Sequence, residues 1–144
     1  MTDMLLIGTL DGTRMALPAG DIRSVIETEE LAPVPHAPAH IAGLTAVRSQ
    51  ALTVIDARAS LGLPVRPHRP GDRAAVIAHQ GHLYALLLDA IDDVRAARSV
   101  PVPVVGGYGA GWQEAAVGMV ELDGGPALLV DAGAIIRGPG DAAP

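Results

Sequence analysis

Ile41-Ala42-Gly43-Leu44-Thr45-Ala46-Val47-Arg48-Ser49 runs, after Gln50-Ala51, into Leu52-Thr53-Val54-Ile55-Asp56-Ala57-Arg58-Ala59-Ser60-Leu61-Gly62. Two apolar runs of strand length flank a short polar break at Ser49-Gln50, so the stretch reads as a strand pair. Asp56 closes the second run and is placed to cap a short helical turn through Leu61, which Gly62 ends. Arg48 stands where the first strand meets the turn. It presents a planar, permanently charged donor there. Its plain reading is a surface Arg that closes a strand, because isolated exposed charges contribute little.

Short strands divided by turn signals continue on both sides. Met4 to Leu10 is apolar, Asp11-Gly12 marks a hairpin, and Arg14 to Leu17 returns. Ile22 to Glu27 alternates in character, and Pro33, Pro35 and Pro38 then interrupt any helix or central strand. Ala74 to Ala78, a Gln80-Gly81 turn and His82 to Leu88 form another pair, and Val117 to Leu122 with Ala127 to Val130 a third. Residues 64–71, with Pro64, Pro67 and Pro70, read as a linker between lobes of about residues 1–66 and 72–137 within one domain, with a frayed tail over 138–144. Val54-Ile55-Asp56-Ala57 echoes Leu129-Val130-Asp131-Ala132. Either Asp is simply a common helix cap, or the chain has two pseudo-symmetric lobes. Roughly nine strands with Gly/Pro turns predict an all-β fold, a small barrel or sandwich or a pair of barrels.

Composition excludes much chemistry. The 144 residues are 49% hydrophobic and contain no Cys, which removes disulfide scaffolds, Cys-based zinc sites and thiol catalysis. Net charge is −6, all ten basic residues are Arg, and only Tyr84, Tyr108 and Trp112 are aromatic. Neither the clustered positive charge nor the stacking platform of a nucleic-acid binder is present. No stretch approaches the ~20 apolar residues of a membrane span, and Met1-Thr2-Asp3-Met4 lacks the basic region of a signal peptide. The expectation is a cytoplasmic protein without membrane insertion.

The individual candidates fail in turn. His36 and His40 have ligand spacing for a helix, but Pro35 and Pro38 forbid one. His79 and His82 flank a turn with no completing ligand. Both pairs read as turn histidines, and no metal or cofactor is expected. Gly106-Gly107-Tyr108-Gly109-Ala110-Gly111 matches neither dinucleotide nor phosphate-loop spacing and reads as a flexible loop with no helix after it. No Ser sits in a nucleophile elbow and no carboxylate pair can be assigned, so no enzyme is expected.

The opening stretch resembles the CheW-like domain family, the bacterial chemotaxis coupling proteins. The family runs an apolar segment, Gly, Asn-Leu-Arg-Gly, then a strand ending Asp-Leu-Arg, and residues 41–62 are similar to that pattern. Ala37-Pro38-Ala39-His40-Ile41 resembles the approach to it. Leu87-Leu88-Asp89-Ala90-Ile91-Asp92-Asp93-Val94 resembles the family's Val-Asp-x-Val-x-Asp-Val, and Val117 to Glu121 with Leu128 to Asp131 its close. The resemblance implies two small five-stranded SH3-like β-barrels packed on a shared apolar core. It implies no catalysis. It implies an adaptor that joins the cytoplasmic tip helices of chemoreceptors to the regulatory domain of a CheA-type histidine kinase.

Carried over by position, the resemblance gives Arg48 a part in partner binding, flanked by Val47 and Ser49, and Asp56 closes the same motif. It makes Ile22 a groove-lining residue and Ile91 and Val94 apolar positions of the second barrel. Ser24 stands where the family has the Glu that pairs with the signature Arg, Ala46 where it has Asn, Ser49 where it has Gly and Thr53 where it has Pro. On a strand Glu27 points to the opposite face from Ser24 and does not substitute. Arg48, Tyr108 and Trp112 are the residue types that usually anchor interfaces. Two other readings stand beside the adaptor: a divergent module of the same fold in another two-component or motility pathway, and a small-ligand-binding β-barrel.

Overall fold

Three two-residue turns set the frame. Asp11-Gly12, Arg48-Ser49 and Gln80-Gly81 all have positive φ at both residues (50° and 77°, 52° and 68°, 51° and 81°). That is the pattern of turns whose twist matches antiparallel strands. The computed structural model describes residues 4–98, 101–104 and 106–139. Its strands are β1 (Met4–Leu10), β2 (Thr13–Pro18), β3 (Ile22–Glu27), β4 (Ile41–Val47), β5 (Gln50–Asp56), β6 (Arg73–His79), β7 (His82–Leu87), β8 (Ala90–Ala96), β9 (Ala116–Leu122) and β10 (Gly125–Val130). Short helices α1 (Ala57–Ser60), α2 (Ala110–Ala115) and α3 (Ala132–Arg137) interrupt them, with a 3-10 turn at Ala19–Asp21. No helix among the described residues is long and apolar enough to cross a membrane.

The strands form two five-stranded sheets, ordered β8-β1-β2-β10-β9 and β3-β6-β7-β5-β4. These are one order written twice. In each sheet one pair is parallel (β10 with β2, β5 with β7) and the rest are antiparallel. A bulge falls between Ile41 and Gly43 in one and opposite Leu129 and Val130 in the other. The chain leaving β3 bridges back to β4 at Ala32 and Leu44, and the chain leaving β8 bridges back to β9 at Val102 and Met119. The echo of Val54-Ile55-Asp56-Ala57 in Leu129-Val130-Asp131-Ala132 is therefore real pseudo-symmetry. Each is the strand that feeds a helix from an Asp cap, with Asp56 accepting from the Arg58 and Ala59 amides and Asp131 from Gly133.

The lobes expected at 1–66 and 72–137 need correction. One sheet takes β3 to β7 and the other takes β1, β2 and β8 to β10. The Pro-rich residues 64–71 lie inside the second sheet, as the crossover that parallel pairing of β5 and β7 demands. The segment is also tied down. Arg58 Nη1 donates to the Pro64 carbonyl at 2.7 Å, His68 hydrogen-bonds Thr28, and Arg66 Nη1 lies 3.5 Å from Asp72. The expected loop at 106–111 is also corrected at its end, since α2 begins at Ala110. Trp112 is buried in the core and Gly111 lies against the Leu61 backbone, so packing overrides weak helix propensity. Of the expected tail, 140–144 lies outside the described residues.

Strands β1, β2, β5, β6, β7 and β10 are buried on both faces. Leu6, Met15, Leu17, Ile55, Ile77 and Leu86 turn toward a core shared by the two sheets. Their neighbours Leu5, Ile7 and Ala16, or Val54, Val76 and Ala85, fill the two sheet interiors separately. These interiors are narrow enough that Ala, Val, Leu and Ile fill them without any Phe.

One polar cluster crosses between the sheets. Arg58, on α1 after β5, forms a fork with Asp89, which precedes β8: Nε to Oδ1 at 2.9 Å and Nη2 to Oδ2 at 2.6 Å. Asp89 Oδ2 also accepts the Asp11 amide at 2.7 Å, from the β1–β2 turn, and Arg58 Nη1 lies 3.3 Å from Asp11 Oδ1. The Arg58 hydrogen bonds hold the Asp89 carboxyl below the ordinary carboxylate range against a smaller opposing effect of burial.

Two predictions follow from this packing. A Cβ on Gly43 (φ 153°) would lie 2.7 Å from the Ala32 carbonyl and 2.9 Å from Leu31, but on Gly118 only 3.0–3.1 Å from Pro101 and Val102. In urea denaturation Gly43→Ala therefore costs about 2–3 kcal/mol and Gly118→Ala about 1 kcal/mol; equal losses would refute close strand passage as the constraint. Asp89→Asn loses about 2 kcal/mol at neutral pH, the scale of hydrogen bonds to a charged group. Because the folded carboxyl titrates below its unfolded value, its contribution is complete above pH ~4 and fades as pH falls further. Urea titrations from pH 7 to 3 should show a shallower acid loss in Asp89→Asn than in the parent.

Candidate partner-binding surface

The sheet register turns the sequence candidates into related positions. Thr53 pairs with Tyr84, Tyr84 with Ile77 and Ile77 with Ile22. In the other sheet Leu128 pairs with Met15, Met15 with Gly8 and Gly8 with Ile91. Thr53 and Leu128 precede the two echoed motifs by the same step, so Ile22 and Ile91 occupy equivalent places on edge strands β3 and β8. By the same rows Val25, opposite Ala75, is the counterpart of Val94, opposite Leu6. Ile91 is buried in the shared core, and Ile22 and Val25 are half-buried against it. Val94 is 42% exposed and Met4, on the neighbouring strand, 48%. The shared core thus reaches the surface along β3 and β8.

Arg48 and Ser49 form the exposed tip of the β4–β5 hairpin, with Val47 half-buried beneath them against the second sheet's interior. The tip emerges at the same end of the sheet as the Gln80-Gly81 turn and the start of β3, where Ile22 lies. Ser24 is exposed on β3, opposite Val76. Among the described residues no carboxylate lies within ion-pair distance of Arg48. Glu27 stands opposite Arg73. The counterpart of the Arg48-Ser49 tip is Asp123-Gly124, whose carboxylate pairs with Arg98, so the two hairpin tips carry opposite charge.

Asp56 is not part of this end. It lies at the far end of β5, about 20 Å away at ~3.3 Å per residue, and its carboxylate caps α1. Trp112 is 3% exposed and belongs to the core, which removes it as an interface anchor. Tyr108 is half-buried against that core.

His40 also departs from the expected turn histidine. It is 6% exposed, beneath Gly138, and its Nε2 donates to the Ile136 carbonyl at 3.1 Å, while Nδ1 has no partner among the described residues. Ser60 donates to the adjacent Ile135 carbonyl. Two side chains from the second sheet's half thus cap the open carbonyls of α3. Beside them a groove of about 630 Å³ runs between the three helices, lined largely by small residues such as Ala39, Gly111, Ala115 and Ala134. Among the described residues no three His, Asp or Glu side chains form a metal-binding group.

Arg58 falls in the Asp56-Ala57-Arg58 of the opening motif and Asp89 in the Leu87-to-Val94 segment, but neither is among the candidate site residues read from the sequence. Asp89 and Asp11 are 31 and 47 residues from Arg58 in the chain, so no local pattern pairs them with it.

Ser49 supplies a test of the turn. A non-glycine residue at φ 68° is strained, and Gly relieves it. Ser49→Gly should stabilise the fold by about 1 kcal/mol in thermal or urea unfolding; a loss of stability would show that the Ser49 side chain has a structural role.

The comparisons agree with this geometry. The CheW-like domain matches residues 4–139. A crystal structure of the scaffolding protein TtCheW from Thermoanaerobacter tengcongensis superposes with a TM-score of 0.79 at 19% identity, over 91% of this chain and 90% of that one. At that identity the superposition speaks to fold alone, two SH3-like barrels. No curated protein matches the sequence. With the family pattern running from β1 to the end of α3, and both barrels in place, the chain belongs to the CheW-like domain family.

Proposed function

We propose that this protein is a non-enzymatic adaptor of the cytoplasm, coupling the tip helices of chemoreceptors to the regulatory domain of a CheA-type histidine kinase. The observation that carries the reading is the pair of equivalent edge strands. Ile22 and Val25 on β3, and Ile91 and Val94 on β8, bring the apolar core shared by the barrels to the surface. Apolar surface of this kind suits the apolar stripe of a helix, which buries its side chains at i, i+3, i+4 and i+7. Arg48, exposed and without a counter-charge among the described residues, is placed to meet a carboxylate on a partner. Such rim charges act mainly on orientation and association rate. The known role of the family and the scaffolding description of the structural neighbour support the same reading.

Ser24 favours a second reading. Where the family pairs a Glu with the signature Arg, this chain has an exposed hydroxyl. A partner that supplies the missing carboxylate itself would make this a divergent module of the same fold in another two-component or motility pathway.

Titration of the purified chain against the kinase regulatory domain and against a receptor-tip helical hairpin tests both readings. Each partner is expected to bind. Val94→Asp, at an exposed position, should weaken the hairpin at least about tenfold by placing a charge in an apolar contact. Arg48→Glu should slow association with whichever partner it faces. Absence of binding to both partners would overturn the adaptor and leave the divergent module.

A further inference from the structure

The internal symmetry of the fold is broken at one charged site. The residues that correspond to Arg58, Asp89 and Asp11 in the other half are Gly133, Gly20 and Gln80, by the registers given above. Nothing on that side can form a fork. The His79 ring lies against Gly133 instead, with its Cε1 2.9 Å from where a Cβ would sit. On the charged side Arg58 reaches three segments at once: Asp89 before β8, Asp11 in the β1–β2 turn, and the Pro64 carbonyl of the crossover. Arg66 adds a second cation 3.9 Å from Asp89. Arg58 and Asp89 are both mostly shielded, at 18% and 23% side-chain exposure. A bidentate guanidinium–carboxylate fork fixes direction as well as distance.

From this we infer that Arg58 and Asp89 are a one-sided latch that sets how the two barrels lie against each other, and so how the edge strands β3 and β8 are placed. They are positioning residues. Asp89 is two residues from Ile91, and its clamp holds the start of β8 to the second barrel. β3 has no such clamp at its start, where Gly20 is exposed with nothing near its Cα side. The shared core is apolar and non-directional, so it holds the barrels together without fixing their angle. Directional contacts between the barrels come from the fork at this end and from the His40 and Ser60 hydrogen bonds to the α3 carbonyls. The structural part of this inference stands on the geometry, and its effect on a partner rests on the adaptor reading.

The absence of native Cys makes a direct test simple. Spin labels are placed at His82→Cys on β7 and Val117→Cys on β9, both exposed and one on each barrel. The parent should give one narrow distance distribution. Arg58→Leu should broaden or shift it while amide exchange within each barrel stays protected, and Arg58→Lys, which keeps charge but loses the fork, should lie between. The affinity for a receptor-tip hairpin should fall about tenfold in Arg58→Leu, a typical size for coupling between sites. An unchanged distribution in folded Arg58→Leu would overturn the latch, and so would a changed distribution with unchanged affinity for a hairpin that binds the parent. If Arg58→Leu does not fold, the Arg58→Lys distribution decides. If the hairpin does not bind the parent, the adaptor reading fails and the distances alone still judge the latch.

Discussion

Everything in this molecule depends on six strands that must be buried on both faces. A five-stranded barrel built from Ala, Val, Leu and Ile has a small interior, here Leu5, Ile7, Ala16, Val120, Leu122 and Ala127 on one side and Leu52, Val54, Ala74, Val76 and Ala85 on the other. Clusters of five or six side chains are thin cores for separate units, since small domains bury too little surface to be secure. The outward faces of the same strands are also apolar and meet in a third, larger cluster that includes Ile55, Ile77, Leu86, Leu128 and Trp112. Burying each large aliphatic side chain there contributes about 1.5–3 kcal/mol. The shared cluster therefore makes one domain of two barrels, and its margin reaches the surface along β3 and β8.

The internal repeat explains features that look unrelated in the chain. Gly43 and Gly118 recur because in both halves a returning segment passes close over the bulged strand. Asp56 and Asp131 recur because each strand of that position must turn into a helix at the barrel end. The repeats are permuted: one half runs through β3 to β7, and the other begins with β8 and borrows the β1–β2 hairpin from the start of the chain. A linker-like composition at 64–71 consequently marks a crossover inside one barrel and not a boundary between two.

Where the halves differ, the differences are of charge. The hairpin tips have opposite charge, with Arg48 unpaired among the described residues and Asp123 held by Arg98. The Arg58 fork exists in one half alone. In the proposed adaptor the symmetric apolar edges supply contact area and these asymmetric charges supply direction. That division of work, apolar area for affinity and charge for orientation, is the usual one in protein recognition.

Local chemistry made much of this legible in the sequence. Strand existence, the two-residue turns and the Asp caps depend on neighbours within a few residues, so Asp11-Gly12, Gln80-Gly81, Asp56 and Asp131 were all readable without any structure. The family resemblance likewise rests on short motifs in order. Only the tertiary structure decided which strands share a sheet, because antiparallel and parallel partners 30 to 110 residues apart are chosen by burial of whole faces. It moved Trp112 from candidate anchor to core, turned the glycine-rich loop into the start of a helix, buried His40 and assigned Arg58 its partners. In each case the determining atoms come from elsewhere in the chain. A residue's neighbours along the sequence fix its backbone preferences, whereas its burial and its ion-pair partners are properties of the packed whole.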